Sequence, residues 1–275
     1  MEINKIKITY EKKGEKFRII PIGDLHIGNA GCDIKKIKAL IDWIAEKENT
    51  FWIGMGDYLE AINYTDKRFD PTAVAKKFLN CLDNLVEEQK NEFINLFEKI
   101  KHKCIGLHAG NHEEAIRRFY HIDVTEEIAK EFNVKNLRYS AFTTLQFIRG
   151  KDNWKTKATR NFVIFSTHGR AGGRRGGNKI NRLEDLMAWF DADIYLLGHA
   201  HKKILTTISQ LSINGKKKQQ LIYKKKIGGV TGSFLQGYAL GSTTSYVERY
   251  EYPPTDLGVI KITIIPDTGD IHASE

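Results

Sequence analysis

The sequence predicts one α/β domain with a β-rich C-terminal half, and three observations carry that expectation. Short apolar strands alternate with amphipathic helices through the first two-thirds of the chain. After His201 the pattern turns to strands alone. No internal repeat, low-complexity linker or composition break divides the 275 residues. Residues 1–275 therefore read as a single domain, α/β over about 15–201 and β-rich over about 202–275.

Phe17–Gly23 reads as a buried strand, and Asp33 as the cap of a helix with Ile34, Ile37, Leu40, Ile41 and Ile44 at helical spacing. Thr50–Gly54 is a second strand. Asp70-Pro71 signals a helix start, and the apolar positions Phe78, Leu79, Leu82, Leu85 and Val86 extend that stripe, with or without a break, through Ile100. Cys104–Leu107 is a third strand, and Asp123–Phe132 a helix with Glu126 placed for a capping box. Strands Asn161–Thr167 and Asp193–Leu197 flank a helix at Ile180–Phe190. Lys203–Ile213 and Gln219–Ile227 form a hairpin about a type I′ turn at Asn214-Gly215. Tyr246–Tyr252 and Leu257–Ile265 close the fold as strands, and Phe51-Trp52 and Trp189-Phe190 belong to the core.

Composition narrows the classes. With 41% hydrophobic and 28% charged residues, the chain is neither disordered nor collagen-like. It has no apolar run long enough to span a membrane, so no membrane partner is expected. The start, with Glu2, Lys5 and Lys7, lacks a signal core. Three cysteines in no CxxC pairing fit a reduced, cytoplasmic setting. The net charge of +9 is uneven: residues 149–226 hold 18 Lys and Arg against 5 Asp and Glu. Such a segment suits a polyanion, nucleic acid included. The alternative is that lysine-rich hairpins merely keep edge strands from pairing.

Five short motifs concentrate the chemistry, four of them just after predicted strands: Gly23-Asp24-Leu25-His26, Gly56-Asp57-Tyr58-Leu59-Glu60, Gly110-Asn111-His112-Glu113, Thr167-His168-Gly169 and Gly198-His199-Ala200-His201. Loops at strand ends converge on one crevice, and glycines beside the polar residues let the backbone turn sharply there. Each motif alone is weak, since Asp57 suits a helix cap and His199-x-His201 a polar turn. Together, two Asp, one Asn and four His offer mixed O and N ligands for two divalent metals. The absence of nearby cysteine argues against a structural zinc.

The order D-x-H, G-D-x-x-E, G-N-H-E, H-G, G-H-x-H resembles the calcineurin-like metallophosphoesterase superfamily, which includes nucleases, cyclic-nucleotide phosphodiesterases, purple acid phosphatases and Ser/Thr protein phosphatases. The matched span runs from Asp24 to His201. The resemblance implies a four-layered α/β/β/α sandwich. It assigns Asp24, His26 and His201 to a first metal, Asn111, His168 and His199 to a second, and Asp57 to both. The ions would be Mn, Fe, Zn, Ni or Co, with Mn favoured. Two such cations make a bridging hydroxide available for in-line attack on phosphorus and neutralise the phosphoryl oxygens. His112 would then be the acid that protonates the leaving alkoxide, oriented by the carboxylate of Glu60. For Glu60 the alternative is an ordinary first-turn helix residue.

No Arg-Gly follows the second motif, where Ala61-Ile62 stand instead, which counts against a phosphoprotein phosphatase. Arg170, Arg174 and Arg175, in a glycine-rich loop after His168, suit phosphate oxygens. The alternative is an exposed loop whose arginines aid solubility. The lysine runs Lys216–Lys218 and Lys224–Lys226 would add affinity for long substrates if they face the crevice. His108 is either support for a ligand or a satisfied side chain at a strand end. The expected function is a dinuclear metal-dependent phosphoesterase, favoured as a phosphodiesterase or nuclease. A phosphomonoesterase is the alternative. A non-catalytic scaffold on the same fold would show eroded ligand positions, and here every one is intact.

Overall fold

The computed structural model describes residues 1–150, 158–170, 175–214, 220–238, 245–249, 251–254 and 256–275. In chain order the first half holds β1 (Glu2–Tyr10), β2 (Phe17–Ile22), α1 (Ile34–Glu46), β3 (Thr50–Gly54), α2 (Leu85–Phe97), β4 (Cys104–His108), α3 (Asn111–Tyr120), α4 (Val124–Glu131) and β5 (Asn136–Arg138). Then come β6 (Ser140–Arg149), β7 (Ala158–Thr167), α5 (Gly176–Trp189), β8 (Ile194–Leu197), β9 (Lys203–Asn214) and β10 (Gln220–Ser233). A short α6 (Tyr246–Arg249), β11 (Gly258–Val259), β12 (Lys261–Ile265) and β13 (Asp270–Ser274) end the chain.

Alternation within the strands gives each sheet two apolar faces, and the faces set the layering. In β2, Phe17 and Ile19 enter one core while Ile20 and Ile22 enter another. In β8, Ile194 and Leu196 share the first core, and Tyr195 and Leu197 face a third. One sheet runs β13-β12-β2-β3-β4-β5, and the other β1-β6-β7-β8-β10-β11 with β9 paired to β10. The core between them holds Phe17, Ile53, Leu145, Phe147, Ile164 and Ile227. Ile37, Ile41 and Ile44 of α1, Phe93 and Phe97 of α2 and Ile128 of α4 cover the outer face of the six-stranded sheet. Leu183, Leu186 and Met187 of α5 cover the outer face of the other. The order is therefore helix, sheet, sheet, helix. Among the described residues, no helix is long and apolar enough to cross a membrane. The three cysteines are unpaired.

Several expectations hold to within a residue or two, among them β2, β3, β4 and the Asp33 cap, whose carboxylate accepts from the Lys36 N–H at 3.0 Å. Others fail for local reasons. Asp70-Pro71 opens only a single 3₁₀ turn, Pro71–Ala73, and α2 begins at Leu85. Val74 bridges Asn29, and the Ala75 N–H donates to the Gly28 carbonyl, so this backbone ties down the loop after β2 and does not continue a helix. Tyr246–Tyr252 is not a strand: Ser245 Oγ accepts from the Glu248 N–H and starts α6, while Tyr250 lies outside the described residues. The hairpin pairs Asn214 with Gln220, so its connection is longer than a two-residue Asn-Gly turn; residues 215–219 lie outside the described residues. Phe190 stacks on Phe165 at 4.1 Å as a core residue, but Trp189 is 61% exposed beneath the Arg182 guanidinium.

Candidate metal centre

All five motifs sit at the C-terminal ends of strands. Asp24 and His26 follow β2, Asp57 follows β3, Asn111 and His112 open α3 after β4, His168 follows β7, and His199 and His201 follow β8. The sharp turns fall on the ligand candidates themselves. Asp24, His26, Asp57, His199 and His201 have φ between 50° and 64°, so five of the seven candidates are left-handed. Each such non-glycine residue costs about 1–2 kcal/mol, a strain that concentrates at functional sites. The glycines serve mainly by close approach. A Cβ on Gly110 would stand 2.1 Å from the Asp57 N and Oδ1, and one on Gly56 (φ +89°) 2.6 Å from the Gly110 N.

The side chains converge in two groups. In the first, His26 Nε2 and His201 Nε2 stand 3.2 Å apart, and His201 Nε2 is 3.2 Å from Asp24 Oδ1. In the second, His168 Nε2 faces Asn111 Oδ1 at 3.1 Å and Asp57 Oδ2 at 3.3 Å, with His199 Nδ1 at 3.9 Å from the same oxygen. The ligand atoms of Asp24, His26 and His201 lie within 4.8 Å of one another, as do those of Asp57, His168 and His199. Asp57 joins the groups through its backbone, whose carbonyl accepts from the Leu25 and His26 N–H groups.

The donor set fits divalent cations. His168 Nδ1 donates to the Met55 carbonyl at 2.7 Å, which leaves Nε2 as the ring atom directed at Asn111 and Asp57. Asp24 Oδ1 and His199 Nδ1 are buried without a well-formed hydrogen bond, and a cation would satisfy both. Burial opposes a charge on His168, but Asp57 and Asp24 outweigh it and lift its pKa to about 9. Burial pushes the Asp57 carboxyl up, and His168 and His112 more than reverse that, holding it well below the usual range. Burial lowers the His26 pKa, which favours the neutral ring a ligand requires.

The sequence profile of the calcineurin-like phosphoesterases matches residues 17–203, well over half of the chain and the span that carries all five motifs. The chain belongs to this family. No curated protein sequence matches it. Among solved structures it is similar to a single mutant of Vps29 from Entamoeba histolytica, at 12% identity and a TM-score of 0.29, over 94% of this chain and 98% of that one.

Around the phosphoesterase centre, Glu60 departs from expectation. Its carboxylate bonds His26 Nδ1 at 3.0 Å, and it is the Glu60 backbone carbonyl that accepts from His112 Nδ1. Burial raises the Glu60 pKa, but the bond to His26 prevails and brings it to about 2. Glu60 thus orients a ligand candidate by its side chain and His112 by its main chain. The His112 ring packs edge-on to His26 at 4.7 Å. Burial opposes its protonation, but Asp57 and Glu60 outweigh that and raise its pKa.

One contributor had no assigned role in the sequence. Glu113, buried in the first turn of α3, accepts from Asp57 N and Gly110 N at 2.9 Å and Leu59 N at 3.0 Å, clamping two ligand loops together. Its place three residues after Gly110, where an acid can fold back over a helix start, was the available signal. Both ring nitrogens of His108 are hydrogen-bonded, to the Arg138 carbonyl and to Ser166 Oγ, so it is a satisfied strand-end side chain.

Arg170 lines a cavity of about 800 Å³ beside Asn111, with Arg118, Arg138, Tyr139 and Phe119 among its walls. Arg175 is exposed at the start of α5, and Arg174 lies outside the described residues. Lys224–Lys226 do not reach the centre. Lys226, in the middle of β10, pairs with Asp191, whereas the strand's end, Ser233, bonds the Asp24 carbonyl at 2.9 Å. Seven residue steps, about 23 Å, separate Lys226 from Ser233. Lys216–Lys218 lie outside the described residues. Within the basic segment Arg149, Lys203 and Lys226 are already paired with carboxylates.

Proposed function

We propose that the chain is a metal-dependent phosphodiesterase that holds two divalent ions, manganese being favoured, with nucleic acid or another phosphodiester as substrate. The cavity beside Asn111 carries the diester reading. A small phosphomonoester needs only the space over the ligands, whereas about 800 Å³ lined by Arg118, Arg170, Tyr139 and Phe119, with Arg138 held by Asp123, offers cationic and aromatic contacts to a second ester group.

When bound, divalent ions supply Lewis-acid polarisation of the phosphoryl oxygens and make a water acidic enough to attack near neutral pH. Asp24, His26 and His201 would hold one ion, and Asn111, His168 and His199 the other, with Asp57 shared. Glu60 and the Met55 carbonyl fix the rings of His26 and His168 by their distal nitrogens. His112 donates from Nδ1 to the Glu60 carbonyl, which leaves Nε2 to carry the second proton. With its pKa raised, the ring keeps that proton near neutral pH and gives it to the departing alkoxide, a step worth about 10²–10⁴-fold. Arg170 grips phosphate oxygens from the cavity side.

The test compares kcat/KM for bis-p-nitrophenyl phosphate and p-nitrophenyl phosphate, together with cleavage of labelled single- and double-stranded DNA, in Mn²⁺ and in chelator. Preference for the diester supports the proposal. Preference for the monoester replaces it with a small-molecule phosphatase. Metal bound without turnover of any ester leaves a non-catalytic binding protein.

A further inference from the structure

β9 and β10 pair from Lys203 and Thr231 outward to Asn214 and Gln220, but β10 meets β8 only over Ile227–Val230. The seven pairs beyond, from Ile208 opposite Lys226 to the last, have no third strand among the described residues. They form a two-stranded ribbon that extends about 20 Å past the sheet. Such a ribbon is marginal in water unless a face is covered. Residues 220–225 are all exposed.

The register gives the ribbon one apolar face. Leu211 lies opposite Tyr223, and Ile213 opposite Leu221. These alternate positions share a side of the pleat and are 60%, 71%, 65% and 67% exposed, in the order named. The charge is one-sided as well: residues 208–226 hold six lysines and no Asp or Glu, and of these Lys226 is held by Asp191. Lys225 shares the apolar face and Lys224 lies on the opposite one; both are exposed, with no ion pair among the described residues.

We propose that this ribbon docks on an anionic phospholipid surface, with Leu211, Ile213, Leu221 and Tyr223 at the boundary between headgroups and acyl chains and the lysines among the headgroups. Exposed aliphatic area and uncompensated positive charge are the two terms by which peripheral amphipathic elements bind anionic membranes. Tyrosine suits that boundary, and lysine stems reach back to the phosphates. A second copy of the ribbon would set one acid-free lysine cluster against another. Nucleic acid would satisfy the lysines but leave three aliphatic side chains uncovered, since its proteins bind bases by aromatic stacking. The absence of a spanning segment does not bear on a peripheral contact. Because the ribbon leaves the sheet at the opposite end of β10 from Ser233 and Asp24, docking would leave the metal-binding end facing solvent.

The experiment is co-sedimentation of the full chain with vesicles of phosphatidylcholine, alone or with about 30% phosphatidylglycerol, at low salt. The expected result is binding to the anionic vesicles only. Leu211→Ser with Leu221→Ser, and separately Lys224→Glu with Lys225→Glu, should each lower the partition coefficient roughly tenfold or more, while metal uptake stays as in wild type. Should the serine variant fail to fold, Tyr223→Trp reads insertion directly, as vesicle-dependent quenching by brominated acyl chains. Three results overturn the proposal: no binding to anionic vesicles; binding that only the lysine changes weaken and that DNA displaces; or a dimer that the serine variant dissolves.

Discussion

Glu113→Gln removes one charge and almost no volume, yet it strikes the clamp between the Asp57 loop and the start of α3. The carboxylate serves Asp57 N and Gly110 N through Oε2 and Leu59 N through Oε1. A glutamine amide keeps one oxygen for part of this set and turns an N–H₂ toward a backbone N–H on the other side. A hydrogen bond to a charged acceptor is worth about 1.5–3 kcal/mol, and a buried N–H left unpaired costs a penalty of similar order. Working the other way, burial and the nearby Asp57 charge raise the Glu113 pKa, and the neutral amide escapes both. The expected net loss is about 2 kcal/mol, or roughly 4–8 °C in Tm for a chain of this size. Urea and thermal unfolding in chelator at neutral pH measure it. Because the clamped groups adjoin Asn111 and Asp57, Mn²⁺ affinity by calorimetry should also fall about tenfold or more. Stability within about 0.5 kcal/mol of wild type, with unchanged Mn²⁺ affinity, would refute the clamp.

Asp57→Asn keeps the backbone bonds of its loop but weakens a ligand, so metal content and turnover should collapse while far-UV circular dichroism stays native. Full metal loading with normal activity would remove Asp57 from the site. His112→Asn should retain metal and slow esters with poor leaving groups far more than nitrophenyl esters. Uniform slowing would mean that His112 positions the phosphate and transfers no proton. For His108, burial lowers the pKa from 6.5 to about 3. Above pH 6.5 the ring is neutral folded and unfolded, and its contribution to stability is complete. As pH falls toward 3, only the unfolded chain takes the proton, and stability drops by about 1.4 kcal/mol per pH unit. Between pH 6.5 and 5 the wild type should therefore lose about 2 kcal/mol more than His108→Gln; equal losses by urea unfolding would contradict a buried neutral ring.

The strands at Phe17–Ile22, Thr50–Gly54 and Cys104–His108 are legible in the chain because a strand covered on both faces is a short apolar run bounded by turn residues. The ligand candidates are legible because few residue types bind divalent ions and each of these follows such a run. β1 was equally available: Asn4, Ile6, Ile8 and Tyr10 alternate inward along Glu2–Tyr10, a period-two pattern obscured by its lysines. Periodicity and capping are local properties, and they end where distant segments meet. Asp24 and His201, 3.2 Å apart, are separated by most of the chain, and nothing local prescribes the left-handed backbone that aims them at each other. Likewise the carboxylate of Glu60 turns to His26 and its carbonyl to His112, although sequence spacing treats the residue as one unit. The lysines of β10 share a strand with Ser233 yet stand seven or more residues from it, before the stretch that β8 pairs. Residue type and spacing thus select the ligand candidates and the strands that carry them. Register and long-range contact select where each side chain points, because those depend on packing between segments that the chain brings together only on folding.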